Sequence, residues 1–160
     1  MCIGDNLVTG TSAGIGRALA EYILERNEIV IATLRKPSDV DDLVAKYPNN
    51  LHVLPLDITN PAQISETFAK VKGTFGRIDI VVNNAAISTL GEIESVSDNV
   101  ARSIFETNFW GTLSMTKAAI SFFREVNPPG VGGRIVQMSS MLGLVGFIGA
   151  GHYVASKFGS

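Results

Sequence analysis

TGTSAGIG, residues Thr9–Gly16, is the segment of the chain that says most about its architecture. It follows a short apolar run and precedes an amphipathic segment, which predicts a strand, a glycine-rich turn and a helix. Gly10 permits a tight turn, Gly14 lets the backbone approach a pyrophosphate, and Gly16 allows close packing of helix on strand. Because a helix N-terminus attracts anions, the turn predicts a phosphate site. A glycine-rich turn without a nucleotide fits the same residues, so other parts of the chain must decide.

Outward from this turn, apolar runs alternate with helical patterns along the chain. The alternation predicts repeated β-α units and a parallel sheet of the α/β class. No internal repeat or linker divides the chain, so residues 1–160 are predicted to form a single domain. Further strands are predicted at 28–34, 51–56, 78–83 and 134–138, and helices at 17–26, 40–47, 61–75 (after Thr59 or Asn60 as N-cap) and 100–126.

Composition and charge argue against several classes of partner. Thirteen basic and fifteen acidic residues give a net charge of −2 with no basic run, so nothing favours binding to nucleic acid or to an anionic membrane. The single cysteine, Cys2, cannot form an internal disulfide, which fits a reducing compartment. Residues 1–10 lack a secretory signal, and the longest apolar stretch, 141–151, is shorter than the roughly 20 residues of a membrane span. A cytoplasmic protein is expected.

Tyr153 and Lys157 form the most informative pair for chemistry, with Ser140 a short distance upstream. Four residues apart, they share one face of a helix, with Cβ atoms roughly 5–6 Å apart. A free tyrosine ionises only near pH ~10, but an ammonium and a cationic nicotinamide ring would favour the phenolate. The pair therefore predicts acid-base chemistry beside a nicotinamide cofactor. The alternative is an ordinary half-buried Tyr153 and a solvated Lys157.

Together these blocks resemble the short-chain dehydrogenase/reductase family over essentially the whole chain. The resemblance implies a Rossmann-type doubly wound parallel sheet with helices on both faces, an NAD(P)-dependent oxidoreductase activity, and homo-oligomers. Members usually continue for another helix and two strands, so we expect a C-terminally truncated sheet whose fifth strand is an exposed apolar edge. The matching blocks are Thr9–Gly16, Leu56-Asp57, Asn83-Asn84-Ala85-Ala86, Asn108 in the stretch 107–111, Ser140, and Tyr153 with Lys157.

The resemblance also implies roles for four catalytic residues. Tyr153 acts as general acid/base, and Lys157 favours the phenolate and binds the nicotinamide ribose. Ser140 orients the substrate oxygen, and the family's serine-to-tyrosine spacing favours it over the neighbouring Ser139. Asn108 matches the asparagine that helps to hold a proton-relay water.

Cofactor choice depends on the end of the second strand. Enzymes that prefer NAD carry an acidic residue about 20 positions beyond the glycine turn, whereas Leu34 stands there and Arg35 follows it. A guanidinium can bind phosphate in a fork, so NADP is predicted over NAD, with help from Ser12 or Lys36; a solvated Arg-Lys pair is the alternative. The predicted cofactor residues are Gly10, Ser12, Gly14, Ile15, Gly16, Arg35, Asp57, Ile58, Asn84, Ala85, Tyr153 and Lys157.

Two polar residues in this set have structural alternatives. Asp57 is expected to accept from the adenine amine, or else to cap a helix. Asn84 is expected near the cofactor ribose and the central helix, or else to form a turn. The family usually has glycine where Ala86 stands, and alanine disfavours a positive φ.

Other conspicuous side chains are interpreted as structural. His152 is predicted to be a loop residue, with no second metal ligand nearby, and His52 to be structural. Core or subunit contact is predicted for Phe105, Phe109, Trp110, Phe122 and Phe123. An apolar substrate pocket or plain core packing is predicted for Met138, Met141, Leu142, Leu144 and Phe147.

Three functional hypotheses follow. The first is an oxidoreductase that transfers hydride between NADP(H) and the carbonyl or secondary alcohol of an apolar small molecule. The second is a truncated chain that binds nucleotide without catalysis. The third is a chain that does not fold stably by itself.

Overall fold

Five parallel strands form one twisted sheet, as the alternating pattern predicted. A computed structural model describes residues 4–159, so Cys2 lies outside the described residues. The strand order β3-β2-β1-β4-β5 places β1 at the centre. The strands are β1 Asp5–Thr9, β2 Ile29–Leu34, β3 Leu51–Pro55, β4 Ile80–Asn83 and β5 Arg134–Gln137. The α-helices are α1 Gly14–Leu24, α2 Asp41–Lys46, α3 Pro61–Thr74, α4 Asp98–Phe105, α5 Thr112–Glu125 and α6 Gly151–Phe158.

Helices cover both faces of the sheet, and each face buries its own apolar cluster. On one face α3 and α5 pack against β1 and β4, with Phe68, Met115 and Phe122 in the cluster. On the other face α1 and α2 pack against β2, with Leu24 and Leu43 in the cluster. A parallel sheet requires this double cover because its strands are apolar on both sides. The predicted doubly wound α/β fold is confirmed.

The fourth strand begins two residues later than predicted, because Ile78 forms other hydrogen bonds. The side-chain amide of Asn127 accepts from the Ile78 N–H at 3.0 Å and donates to its carbonyl at 2.6 Å. With both backbone groups taken, Ile78 cannot join the ladder to β1. The first helix, in contrast, begins three residues earlier than predicted, within the glycine turn itself.

The long helix predicted at 100–126 contains a π-helical turn. The helical run extends over α4, the π turn Glu106–Gly111 and α5. At Gly111 a Cβ would lie 2.9 Å from both the Ile58 carbonyl oxygen and its Cγ1, so only glycine allows this approach to the loop after β3. π turns insert one extra residue and occur often at functional sites. Periodicity alone could not reveal this one.

Strand β5 is the edge of the sheet within residues 4–159, as expected. It pairs with β4 through the register Ile80↔Arg134 to Asn83↔Gln137. Val136 is 43% exposed there. No helix within the described part of the chain is long and apolar enough to cross a membrane.

Candidate functional site

A cleft of about 940 Å³ opens at the carboxyl ends of the strands, beside the point where the strand order reverses between β1 and β4. Ligands of open α/β sheets bind at such switch points. Its volume lies within the roughly 300–1,000 Å³ range of small-molecule sites. The lining residues include the predicted Gly10, Ser12, Gly14, Ile15, Arg35, Asp57, Ile58, Asn84 and Ala85, and several to which the sequence analysis gave no role, among them Ile87, Ser103 and Glu106.

The glycine turn has the geometry that its sequence predicted. Gly10 and Gly14 have positive φ angles of 71° and 58°. A Cβ at Gly16 would lie 2.4 Å from the Gly10 carbonyl oxygen, which explains the close packing of α1 on the turn. A Cβ at Gly14 would meet no atom within 4 Å, because this position faces the open cleft.

Thr9, to which the sequence analysis gave no role of its own, ties the turn to the end of β4. Its hydroxyl oxygen donates to the Val82 carbonyl at 3.2 Å and accepts from the N–H groups of Asn84 and Ala85 at 3.0 and 2.9 Å. The Asn84 side-chain amide donates in turn to the carbonyls of Thr9 and Gly10 at 2.8 and 3.2 Å. Both side-chain hydrogens of Asn84 are therefore used to hold the glycine turn. This favours a structural role for the side chain over a contact with the cofactor ribose.

Arg35 directly follows β2 in the chain and lines the cleft. Leu34, which stands where an acid would bind the ribose, is buried. Lys36 pairs with Asp39 at 3.6 Å, whereas no carboxylate in the described chain lies within ion-pair distance of Arg35. The exposed guanidinium of Arg35 is thus available to a ligand.

Asp57 also lines the cleft but has a structural contact. Its Oδ1 accepts from the Thr59 N–H at 2.9 Å and from the Thr59 hydroxyl at 2.7 Å. This closes a turn just before α3, whose N-cap is Asn60, one of the two predicted candidates. Asp57 therefore does not cap α3, as the alternative proposed, but closes the turn that precedes this helix.

Asn108 lies in the π turn, 1% exposed, and joins three parts of the chain. Its Oδ1 accepts from the Ile87 N–H at 2.9 Å, and its Nδ2 donates to the Ile87 carbonyl at 2.8 Å. The same Nδ2 donates to the hydroxyl of Ser156 in α6 at 3.0 Å. Both side-chain donor hydrogens of Asn108 are therefore used within the protein.

Helix α6 carries Tyr153 and Lys157 one turn apart, as predicted. Lys157 is 5% exposed and its Nζ donates to the Met138 carbonyl at 2.8 Å. Burial lowers the pKa of the Lys157 ammonium below its ordinary value. The alternative of a solvated lysine is therefore wrong. Tyr153 is partly exposed, and neither residue lines the cleft.

Ser140 and His152 both precede this pair in the chain. The Ser140 hydroxyl oxygen accepts from the Leu142 N–H at 3.1 Å and caps a short 3₁₀ turn; Ser140 is partly exposed, and the neighbouring Ser139 is exposed. The prediction of a loop position for His152 is wrong, because it is the second residue of α6. A Cβ at Gly151 would lie 2.4 Å from Ile93 Cδ1, so glycine lets α6 begin in contact with Ile93.

The other conspicuous side chains divide between core and surface. His52 lies in β3 and packs edge-on against Phe75 with ring centroids 4.7 Å apart, so its structural role is confirmed. Phe122 is in the core, but Trp110 is 53% exposed. Core packing is wrong for Met141, Leu144 and Phe147, which are 70%, 80% and 59% exposed.

The residues of the cleft fit a dinucleotide. No side chain caps the N-terminus of α1, so its first N–H groups are left for a ligand. The positive end of this helix and the open space at Gly14 suit a phosphate. Arg35 adds a cation at one side of the same cleft.

Comparison with known proteins agrees with this geometry. Oxidoreductase CalM of Penicillium decumbens is 41% identical over 94% of the chain, and 3-ketodihydrosphingosine reductase of Bacteroides thetaiotaomicron is 31% identical over 95%. The chain spans 50% and 52% of their lengths, about half of each curated relative. A solved short-chain dehydrogenase from Streptomyces avermitilis superposes with a TM-score of 0.91 at 35% identity, over 99% of this chain and 57% of that one. Residues 6–160 match the family model described as short chain dehydrogenase, and the chain belongs to that family.

Proposed function

We propose that the protein transfers hydride between NADP(H) and the carbonyl or secondary alcohol of an apolar small molecule, with Tyr153 as general acid/base. The observation that carries the proposal is the side chain of Asn108, which joins the cleft wall at Ile87 to the helix of Tyr153. These hydrogen bonds support an arrangement in which the helix of Tyr153 is tied to the wall of the proposed nucleotide cleft. The name of the related 3-ketodihydrosphingosine reductase supports a ketone as the class of substrate.

Each residue has a separate task in this proposal. The bound nicotinamide supplies or accepts the hydride. The phenol of Tyr153 gives its proton to the substrate oxygen in reduction and takes it back in oxidation. Lys157, one helical turn after Tyr153 on α6, binds the nicotinamide ribose. Ser140 orients the substrate oxygen with a hydrogen bond.

Preference for NADP rests on Arg35. Arg35 lines the cleft. The preceding position, where a carboxylate would repel a 2′-phosphate, holds the buried Leu34 instead. A planar guanidinium binds phosphate in a fork. A cytoplasmic location stays a prediction of the composition, and homo-oligomeric assembly stays a prediction of the family resemblance.

The test of the function is turnover of NADPH with a panel of ketones by the complete protein and by its Tyr153→Phe variant. Loss of the phenolic hydroxyl should lower kcat by at least about 100-fold, the usual contribution of a general acid, while NADPH fluorescence titration gives an unchanged Kd. Equal turnover by the two proteins would reject Tyr153 as the acid.

Nucleotide binding without catalysis is the second candidate. It is favoured by the cleft lining, which includes the glycine turn but none of Ser140, Tyr153 and Lys157. NADPH binding by the 160-residue chain, with no turnover of any ketone, would support this candidate over the first.

A further inference from the structure

Ser156 is a completely buried hydroxyl that the proposed mechanism does not use. It lies on α6 three residues after Tyr153 and is 0% exposed. Its Oγ donates to the Tyr153 carbonyl at 2.7 Å and accepts from Asn108 Nδ2 at 3.0 Å. One hydroxyl thus contacts both the helix of the catalytic tyrosine and the asparagine of the π turn.

The bonds of Ser156 complete a continuous path from the cleft to Tyr153. Ile87 lines the cleft, and both of its backbone groups bond to the Asn108 side chain. Asn108 bonds to Ser156, and Ser156 bonds to the carbonyl of Tyr153. The contacts in this path are polar and 2.7 to 3.0 Å long, the one between Asn108 and Ser156 is buried, and Asn108 itself is 1% exposed. A buried polar path of this kind fixes distances, because each missing bond leaves a desolvated group unpaired.

Helix α6 is tied to the rest of the fold at two positions, and no side chain caps its N-terminus. Lys157 anchors the last turn to Met138. On the turn that carries Tyr153, Ser156 supplies the hydrogen bond to the π turn.

We infer that Ser156 is a positioning residue that fixes Tyr153 relative to the nucleotide cleft. This inference rests on the proposed function, because its effect is on the acid-base step. Without the hydroxyl, Asn108 keeps its bonds to Ile87 but loses its link to α6. The cleft therefore keeps its shape while the helix of Tyr153 gains freedom, and misplacement of a reacting group by ~1 Å can slow a reaction by about 100-fold.

The test is the Ser156→Ala variant of the complete protein, assayed for ketone reduction with NADPH. We expect kcat to fall about tenfold, a change of ~1.4 kcal/mol in the barrier, while the Kd of NADPH changes less than twofold. Ser65→Ala is the control, because its hydroxyl also donates to a backbone carbonyl of its own helix, that of Pro61 in α3, and Ser65 does not line the cleft. That control should leave kcat unchanged.

Two further variants separate positioning from general stability. Ser156→Thr keeps the hydroxyl and should recover most of the kcat that Ser156→Ala loses. If the extra methyl group of threonine prevents folding, Ser156→Cys takes its place. The cysteine thiol is a weak donor of similar size, so this variant should give an intermediate kcat. In a Tyr153→Phe background, Ser156→Ala should cause no further loss. Lower melting temperature with unchanged kcat, or a parallel loss of kcat and NADPH affinity, would overturn the inference. An inactive wild-type protein would instead reject the proposed function and this inference with it.

Discussion

At the scale of single residues, Gly16 shows how one missing side chain shapes the site. A Cβ there would lie 2.3 Å from Asn84 Nδ2 and 2.4 Å from the Gly10 carbonyl oxygen, which is backbone and cannot yield cheaply. We expect Gly16→Ala to lower the free energy of unfolding by about 1–3 kcal/mol, the usual cost of overpacking, in urea denaturation. Gly73→Ala is the control: it is in α3 with no atom within 4 Å of the added Cβ, and it should gain about 0.5–1 kcal/mol. Equal stability of Gly16→Ala and wild type would contradict the packing argument.

Arg35 gives a second prediction at this scale, concerning cofactor choice. Removal of its guanidinium in Arg35→Ala should raise the Kd of NADPH by about tenfold, since a charge-assisted hydrogen bond contributes roughly 1.5–3 kcal/mol, and should leave the Kd of NADH almost unchanged. Fluorescence titration measures both constants. Lys36→Ala, whose ammonium already pairs with Asp39, should change them little. If the two variants behave alike, the selective role of Arg35 is wrong.

At the scale of elements, the start of α3 illustrates a choice that sequence left open. Thr59 and Asn60 were equal candidates for the N-cap, and the Asn60 side chain accepts from the N–H groups of Ala62 and Gln63. Asn60→Ala should therefore lower the free energy of unfolding by about 1 kcal/mol, measured by urea denaturation. Thr59→Ala removes only an exposed bond to Asp57 and should cost less. A larger loss for Thr59→Ala would reverse the assignment.

At the scale of the whole molecule, Asp5 links stability to pH. Burial and the neighbouring Asp79 carboxylate raise the pKa of the Asp5 carboxyl, and Arg77 and His52 offset this only in part. The folded state therefore binds the proton more tightly, so stability falls as pH rises from ~3.9, the ordinary aspartate value, through the folded pKa. Asp5→Asn should be more stable than wild type at pH ~7, and this gain should vanish below pH ~4. Glu94→Gln, at an exposed position, is the control in urea denaturation at both pH values; a gain that persists in acid would refute the linkage.

The α/β class, the glycine turn and the approximate positions of strands and helices could be predicted from the sequence, because those features depend on local spacing and on glycine's backbone freedom. The sequence also placed Tyr153 and Lys157 one helical turn apart. Only the tertiary structure decided that Lys157 is buried, that Asn84 holds the turn through Thr9 and Gly10, and that Asn108 meets Ser156 in a π turn. These contacts join residues 48 to 75 positions apart, and no local pattern encodes which distant partners a fold brings into hydrogen-bonding distance.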